Sequence, residues 1–266
     1  MVFKSPGDVL FNICSMPVYT YGVIIAFSCF VGVLVSYAVY KHYNPDEQYE
    51  RVWDFAAWLL IFGIIGARLY YCALNPVYYS QNPLAVLNFR EGGLSIHGGI
   101  IFGILVLIYF GIRYKLGVFK LLDAFACGTV LAQSIGRWGN FFNSEAFGLP
   151  TELPWKLYIP LQNRPPDYIG FSYFHPTFLY ESILDIFIFF MLLCLMKYFA
   201  KRINGVVFFS YLVMYSVVRF FIEGLRIDSA LNISGVPIAR IISLCLFAVG
   251  VCGLIFLFVK KEYRTR

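Results

Sequence analysis

Residues 119–148 read FKLLDAFACGTVLAQSIGRWGNFFNSEAFG. The first two thirds are apolar enough to cross a bilayer, which takes about 20 helical residues. The stretch then ends on Arg137 and turns polar through Asn140, Asn143, Ser144 and Glu145. A charged side chain at the bilayer centre costs roughly 2.5–3.5 kcal/mol on insertion scales. Arg68, Arg219 and Arg240 stand in the same situation, inside or at the edge of long apolar stretches. Such residues persist when they are paired, solvated by a cavity, or bound to something anionic. The chain therefore reads as a membrane protein with a polar interior.

Composition agrees. Of 266 residues, 60% are hydrophobic and 14% charged, and the mean hydropathy is +0.72. Soluble domains average about 25% charged residues, so a soluble globule is excluded. The net charge of +6 comes from basic residues clustered between apolar segments. That pattern points to membrane orientation and anionic lipid rather than to nucleic acid. The seven cysteines show no CxxC pair and no metal-ligand spacing. They are expected to be small buried hydrophobes and not a disulfide framework. The first apolar stretch is long, lacks a basic lead-in and is expected to be a span, not a cleaved signal peptide.

The expected architecture is all-α: one integral-membrane domain over residues 1–266 with about seven transmembrane helices and a polar cavity near the outer side. The spans are expected near 18–40, 52–74, 94–112, 119–138, 177–197, 206–223 and 237–259. Residues 139–176, rich in Pro and aromatic side chains, read as an interfacial outer loop long enough to cover a site. No internal repeat is apparent. Orientation follows from the connecting loops. One set holds Lys41, Arg51, Arg113, Lys115, Lys120, Lys197, Lys201, Arg202, Lys260, Lys261, Arg264 and Arg266; the other holds Lys4, Arg90, Lys156, Arg164 and Arg226. The richer set should be cytoplasmic, leaving the N-terminus outside and the C-terminus inside.

Four polar groupings need explaining. In the run Gly136–Gly148, Arg137 offers a planar fork of donors suited to a phosphodiester. Asn140 and Asn143 can bond hydroxyls or ester carbonyls, and Glu145 can fix an arginine or a hydroxyl. The alternative is a polar helix end that knits a loop together. Arg219, Glu223 and Arg226 fall at i, i+4 and i+7, on one side of the sixth span. They either welcome one anion or form an ion-pair ladder between helices. His97, before Gly98 and Gly99, suits a general base or a carbonyl-satisfied histidine. The stretch His175-Pro-Thr-Phe-Leu-Tyr-Glu181 opens the fifth span and reads as mainly structural. Tyr21, at the start of the first span, is an interface anchor or a site-lining hydroxyl. Asp54, Arg68 and Asp123 are expected to pair among themselves, and Asp185 reads as isolated.

The GRWGNFFNSEAFG run over 136–148 resembles the signature of the bacterial prolipoprotein diacylglyceryl transferases. Tyr21-Gly22, His97-Gly98-Gly99, the 175–181 stretch and Arg219 with Glu223 and Arg226 agree with it. The resemblance implies an enzyme of the bacterial cytoplasmic membrane. It would move the diacylglyceryl group of phosphatidylglycerol to the lipobox cysteine thiol of a prolipoprotein, leaving a thioether and glycerol phosphate. No metal and no organic cofactor is implied. The partners implied are phosphatidylglycerol, the prolipoprotein signal peptide and membrane lipid. His97, Arg137 and Arg219 become the expected catalytic residues. Tyr21, Asn140, Asn143, Glu145, Gly148, Glu223 and Arg226, with Arg137, become the expected substrate-binding set. Two other readings compete. A transporter or flippase of an anionic lipid or solute would also line a path with arginines, but would be expected to show repeats with broken helices. A metal-dependent phosphatidyl transferase would need clustered aspartates.

Overall fold

The long apolar runs all become helices. The computed structural model describes residues 2–14, 16–88, 92–227, 232–233 and 236–265. Among the described residues, seven helices are long and apolar enough to cross a membrane: α1 (Thr20–Tyr43), α2 (Arg51–Leu74), α4 (Ile96–Arg113), α5 (Val118–Phe142), α6 (Thr177–Phe199), α7 (Val206–Glu223) and α8 (Ile238–Thr265). A short α3 (Pro76–Gln81) follows α2. The expected spans match these within a few residues. The largest differences are at α8, which continues six residues past the expected end, and at α5, which continues four and carries Asn140 within its last turn.

Short strands punctuate the connections, which an all-helical reading does not foresee. Strands β2 (Val9–Ile13) and β3 (Met16–Tyr19) form an antiparallel hairpin. β1 (Phe3–Lys4) pairs in parallel with β4 (Leu157–Tyr158), which pairs antiparallel with β5 (Tyr173–Phe174). β6 (Asn232–Ile233) and β7 (Val236–Pro237) form a further pair. The three-stranded sheet lies over a core of Phe141, Phe147, Leu157, Ile159, Phe174 and Phe178. The 139–176 segment is therefore a packed cap on the ends of α5 and α6, not a loose loop.

The chain divides into two compact units, residues 1–36 with 123–266, and residues 37–122. In the second, α2 and α4 touch backbone to backbone: a Cβ on Gly98 would lie 2.1 Å from the Gly66 carbonyl oxygen. Lipid gives apolar helices no reason to associate, so close approach at small residues supplies the packing. At the other end of this unit the Tyr40 hydroxyl donates to the Leu116 carbonyl at 2.6 Å and to Glu47, which also pairs with Lys120.

The charges expected to pair among themselves do not. Asp54 pairs with Arg51 at 3.0 Å on an exposed helix start. Arg68 is buried and donates to five carbonyls, those of Ala85, Val86, Asn88, Gly92 and Gly93, at 2.6–3.1 Å. Asp123 accepts from the backbone N–H groups of Gly205 (2.6 Å) and Phe208 (2.8 Å), capping the start of α7. Backbone groups with no helical partner satisfy a buried charge as well as an opposite charge does, and spacing along the sequence does not reveal them. The cysteines also depart from expectation. All seven are free, but only Cys72 and Cys127 are buried, while Cys14, Cys194, Cys245 and Cys252 are exposed on the protein surface. In a span, an exposed apolar position faces lipid, so hydrophobicity there does not imply burial in protein.

Candidate functional site

Three helices of the first unit bring their charges together. Glu181, in the second turn of α6, is buried. One of its carboxylate oxygens accepts from Arg137 Nη2 of α5 at 2.6 Å, the other from Arg219 Nη1 of α7 at 3.0 Å. Arg219 uses its second terminal nitrogen on Glu223 Oε2 at 2.6 Å. Arg137 also approaches the Tyr215 hydroxyl at 3.4 Å. Arg137 is thus held by carboxylate at one terminal nitrogen and Arg219 at both, which fixes each guanidinium plane while N–H directions away from the carboxylates stay available to a ligand. Small polar side chains set the spacing of α5 and α6: Ser134 Oγ donates to the Ser182 carbonyl at 3.0 Å, and Trp138 Nε1 to Ser182 Oγ at 3.2 Å.

Beyond α5 the chain makes a strained turn. Ser144 and Ala146 take φ of 52° and 55°, a left-handed conformation uncommon for residues with a side chain. The turn carries Glu145 back towards the helix, where Asn140 Nδ2 donates to its Oε1 at 2.9 Å and Asn143 Nδ2 at 3.4 Å. The two asparagines therefore converge on Glu145, and the helix ends between them. The Tyr21 ring lies against Gly139, where a Cβ would come within 2.7 Å of it. Its phenol lies in the field of both Glu145 and Arg137. Gly148 is enclosed as tightly: a Cβ would meet the His175 side chain and the Leu225 carbonyl oxygen at 2.9 Å. Its N–H donates to the His175 carbonyl at 2.9 Å, and it bridges to Arg226.

Arg226 departs from the helical spacing read in the sequence. Helix α7 ends at Glu223, and Gly224 and Leu225 turn back through N–H bonds to Phe221 and Ile222 carbonyls. Arg226 therefore sits on the bridge to Gly148 and not one face further along the helix. Arg240 lies over the Phe220 ring, 5.4 Å from its centroid, and against Gly224 at the end of α7. His175, beside the Tyr180 hydroxyl at 3.2 Å, is partly buried, which lowers its imidazole pKa below the usual value.

His97 occupies the first turn of α4, is exposed, and has its ring tilted over Tyr70 at 6.0 Å. It belongs to the second unit. Arg90, from the loop before it, lies outside the described residues. The residue that the sequence reading underrated is Glu181, read as mainly structural yet holding both arginines. A pair of acids, Glu181 and Asp185, in an otherwise apolar span was the available signal. Among the described residues no cluster of His, Cys, Asp and Glu has the arrangement of a metal site.

Residues 8–256 match the sequence profile of prolipoprotein diacylglyceryl transferase. The chain belongs to that family. It is 44% identical to a phosphatidylglycerol–prolipoprotein diacylglyceryl transferase of Nostoc sp., over 98% of this chain and 93% of the relative. It is 44% identical to the enzyme of that name from Acaryochloris marina, with 98% and 94% covered. The corresponding figures for Thermosynechococcus vestitus are 41%, 98% and 96%. The matched residues cover α1 to most of α8 of this chain.

Proposed function

We propose that this multi-pass membrane protein transfers the diacylglyceryl group of phosphatidylglycerol to the lipobox cysteine of prolipoproteins. The observation that carries this reading is the half-buried guanidinium pair of Arg137 and Arg219 on one buried carboxylate, in a chain of this family. The thiol sulfur forms a bond to the glyceryl carbon that bears the phosphate, and that carbon–oxygen bond breaks. The oxygen leaves on phosphorus as glycerol phosphate, one negative charge richer. Preorganised guanidinium donors, fixed by Glu181 and Glu223, stabilise charge that develops on the phosphate without reorganising at the moment of reaction. Asn140, Asn143 and Glu145, with Tyr21 behind them, form a polar wall for the glycerol and ester oxygens. Gly148 and Arg226 close the end of that wall.

The nucleophile is a thiol of ordinary pKa about 8.5, so few molecules are thiolate at neutral pH. His97 takes the proton in this reading. Replacing His97 by Asn should lower transfer and remove a limb of its pH profile; an unchanged rate and profile would remove it as the base. The count of basic residues in the loops supports an orientation with the N-terminus outside and the C-terminus in the cytoplasm.

The test is a transfer assay with purified protein, phosphatidylglycerol and a lipobox peptide in its cysteine or alanine form. A mass gain of one diacylglyceryl group on the cysteine peptide alone, with or without chelator, is the expected result. No gain with folded, lipid-supplied protein would overturn the reading.

A further inference from the structure

The charge balance at the arginine pair depends on a residue that takes no part in the ion pairs. Arg137 and Arg219 are matched in number by Glu181 and Glu223. Asp185 follows Glu181 by four positions, one turn along the same face of α6. It is 0% exposed, and neither of its carboxyl oxygens has a hydrogen-bond partner among the described residues. The charged and titratable groups that face it are Arg137 of α5, Glu181 of its own helix, and Tyr211, Tyr215 and Arg219 of α7. Neither tyrosine bonds to it: Tyr211 donates to Gln133 Oε1 at 3.0 Å, and Tyr215 accepts from Arg137 and makes no hydrogen bond to Asp185.

An ionised carboxylate in a protein interior without hydrogen bonds is too costly to persist, and the group stays neutral instead. The count of charges leads to the same state. With Asp185 neutral, the two arginines and two glutamates balance, and one phosphodiester adds a single negative charge. With Asp185 ionised, the site would already be negative before the lipid arrived.

We propose that Asp185 is a positioning residue that sets the charge of the arginine site: it holds a proton while the lipid phosphate is bound, and loss of that proton expels the anion. This rests on the reading of Arg137 and Arg219 as the phosphate ligands. Asp185 acts through those arginines and does not touch the lipid.

The experiment measures KM for phosphatidylglycerol against pH in the wild type, Asp185→Asn and Asp185→Leu. In the wild type KM should rise roughly ten- to a hundredfold towards alkaline pH, the effect of one unit charge a helical turn away at an effective dielectric near 20. Both variants should lose that rise. A parallel rise in Asp185→Asn would overturn the proposal. Infrared spectroscopy of the wild type gives a readout that does not depend on a variant folding. A carbonyl stretch of a protonated carboxyl should be present at neutral pH, vanish in Asp185→Asn and move in Asp185→Glu; no such band in the wild type would overturn the proposal. The two readings fail differently. If the arginines do not hold phosphate, Arg219→Gln leaves KM for phosphatidylglycerol unchanged while the infrared band stays. If only the Asp185 assignment is wrong, Arg219→Gln still raises KM and the band is missing or the variants track the wild type.

Discussion

Arg68 and the Arg137–Arg219 pair are all arginines in membrane spans, yet the protein satisfies them in opposite ways. Arg68 gives every N–H to backbone carbonyls of the segment 85–93, which it ties to α2. Nothing in its fork remains to grip a ligand. Arg137 and Arg219 are held by Glu181 of the facing helix α6, and Arg219 also by Glu223 of its own helix, which leaves them oriented and still able to donate. A buried arginine saturated by carbonyls is a clamp; one held by a shared carboxylate keeps donors that an anion can take, as proposed for Arg137 and Arg219. Asp123 is the acidic counterpart of Arg68, a buried charge satisfied by backbone N–H groups at the start of α7.

The largest effect expected is from Arg137→Gln or Arg219→Gln. Removing one preorganised donor from a developing charge costs about 10²–10³-fold in turnover, measured as kcat with saturating phosphatidylglycerol. A loss no larger than that of an Arg68 variant would erase the distinction between clamp and site. Glu181→Gln should come next. It keeps the shape but weakens the grip on both guanidinium groups, so KM for phosphatidylglycerol and kcat should both change. Combined with Arg219→Gln, its effect should be strongly non-additive, because the two share one network. Additive losses in that cycle would mean that Glu181 does not act through Arg219.

Arg68→Lys should act on stability instead. A lysine cannot reach five carbonyls, and each buried acceptor left without a donor costs about 1–3 kcal/mol. Thermal unfolding in detergent should shift down while KM for phosphatidylglycerol stays at the wild-type value; a raised KM would make Arg68 part of the lipid site. The smallest effect is expected from Asp123→Ala, which removes a helix cap worth about 0.5–2 kcal/mol and should leave the pH profile of transfer unchanged.

The number and place of the spans were legible because each apolar run is long enough to settle the question by length alone. The Gly136–Gly148 run was legible as a candidate site because its polar residues follow directly on a span. Glu181 and Asp185 were not. They are the two acids of one apolar helix, and their meaning depends on which arginines the neighbouring helices place against them. Arg226 misled because helical spacing was extended past Gly224, where the chain turns. The pairing expected among Asp54, Arg68 and Asp123 failed because backbone groups, which carry no sequence signal, serve two of the three.

The sequence by itself determined that this chain crosses a membrane about seven times, that it keeps charges where lipid would reject them, and which family it resembles. Those properties depend on composition, length and a contiguous motif. Only the tertiary structure decided which charges share a partner. Glu181 lies 44 residues after Arg137 and 38 before Arg219, and all three meet because α5, α6 and α7 pack side by side. Whether a buried arginine is a clamp or an anion site depends on which acceptors surround its five N–H groups, and that is fixed by packing in three dimensions.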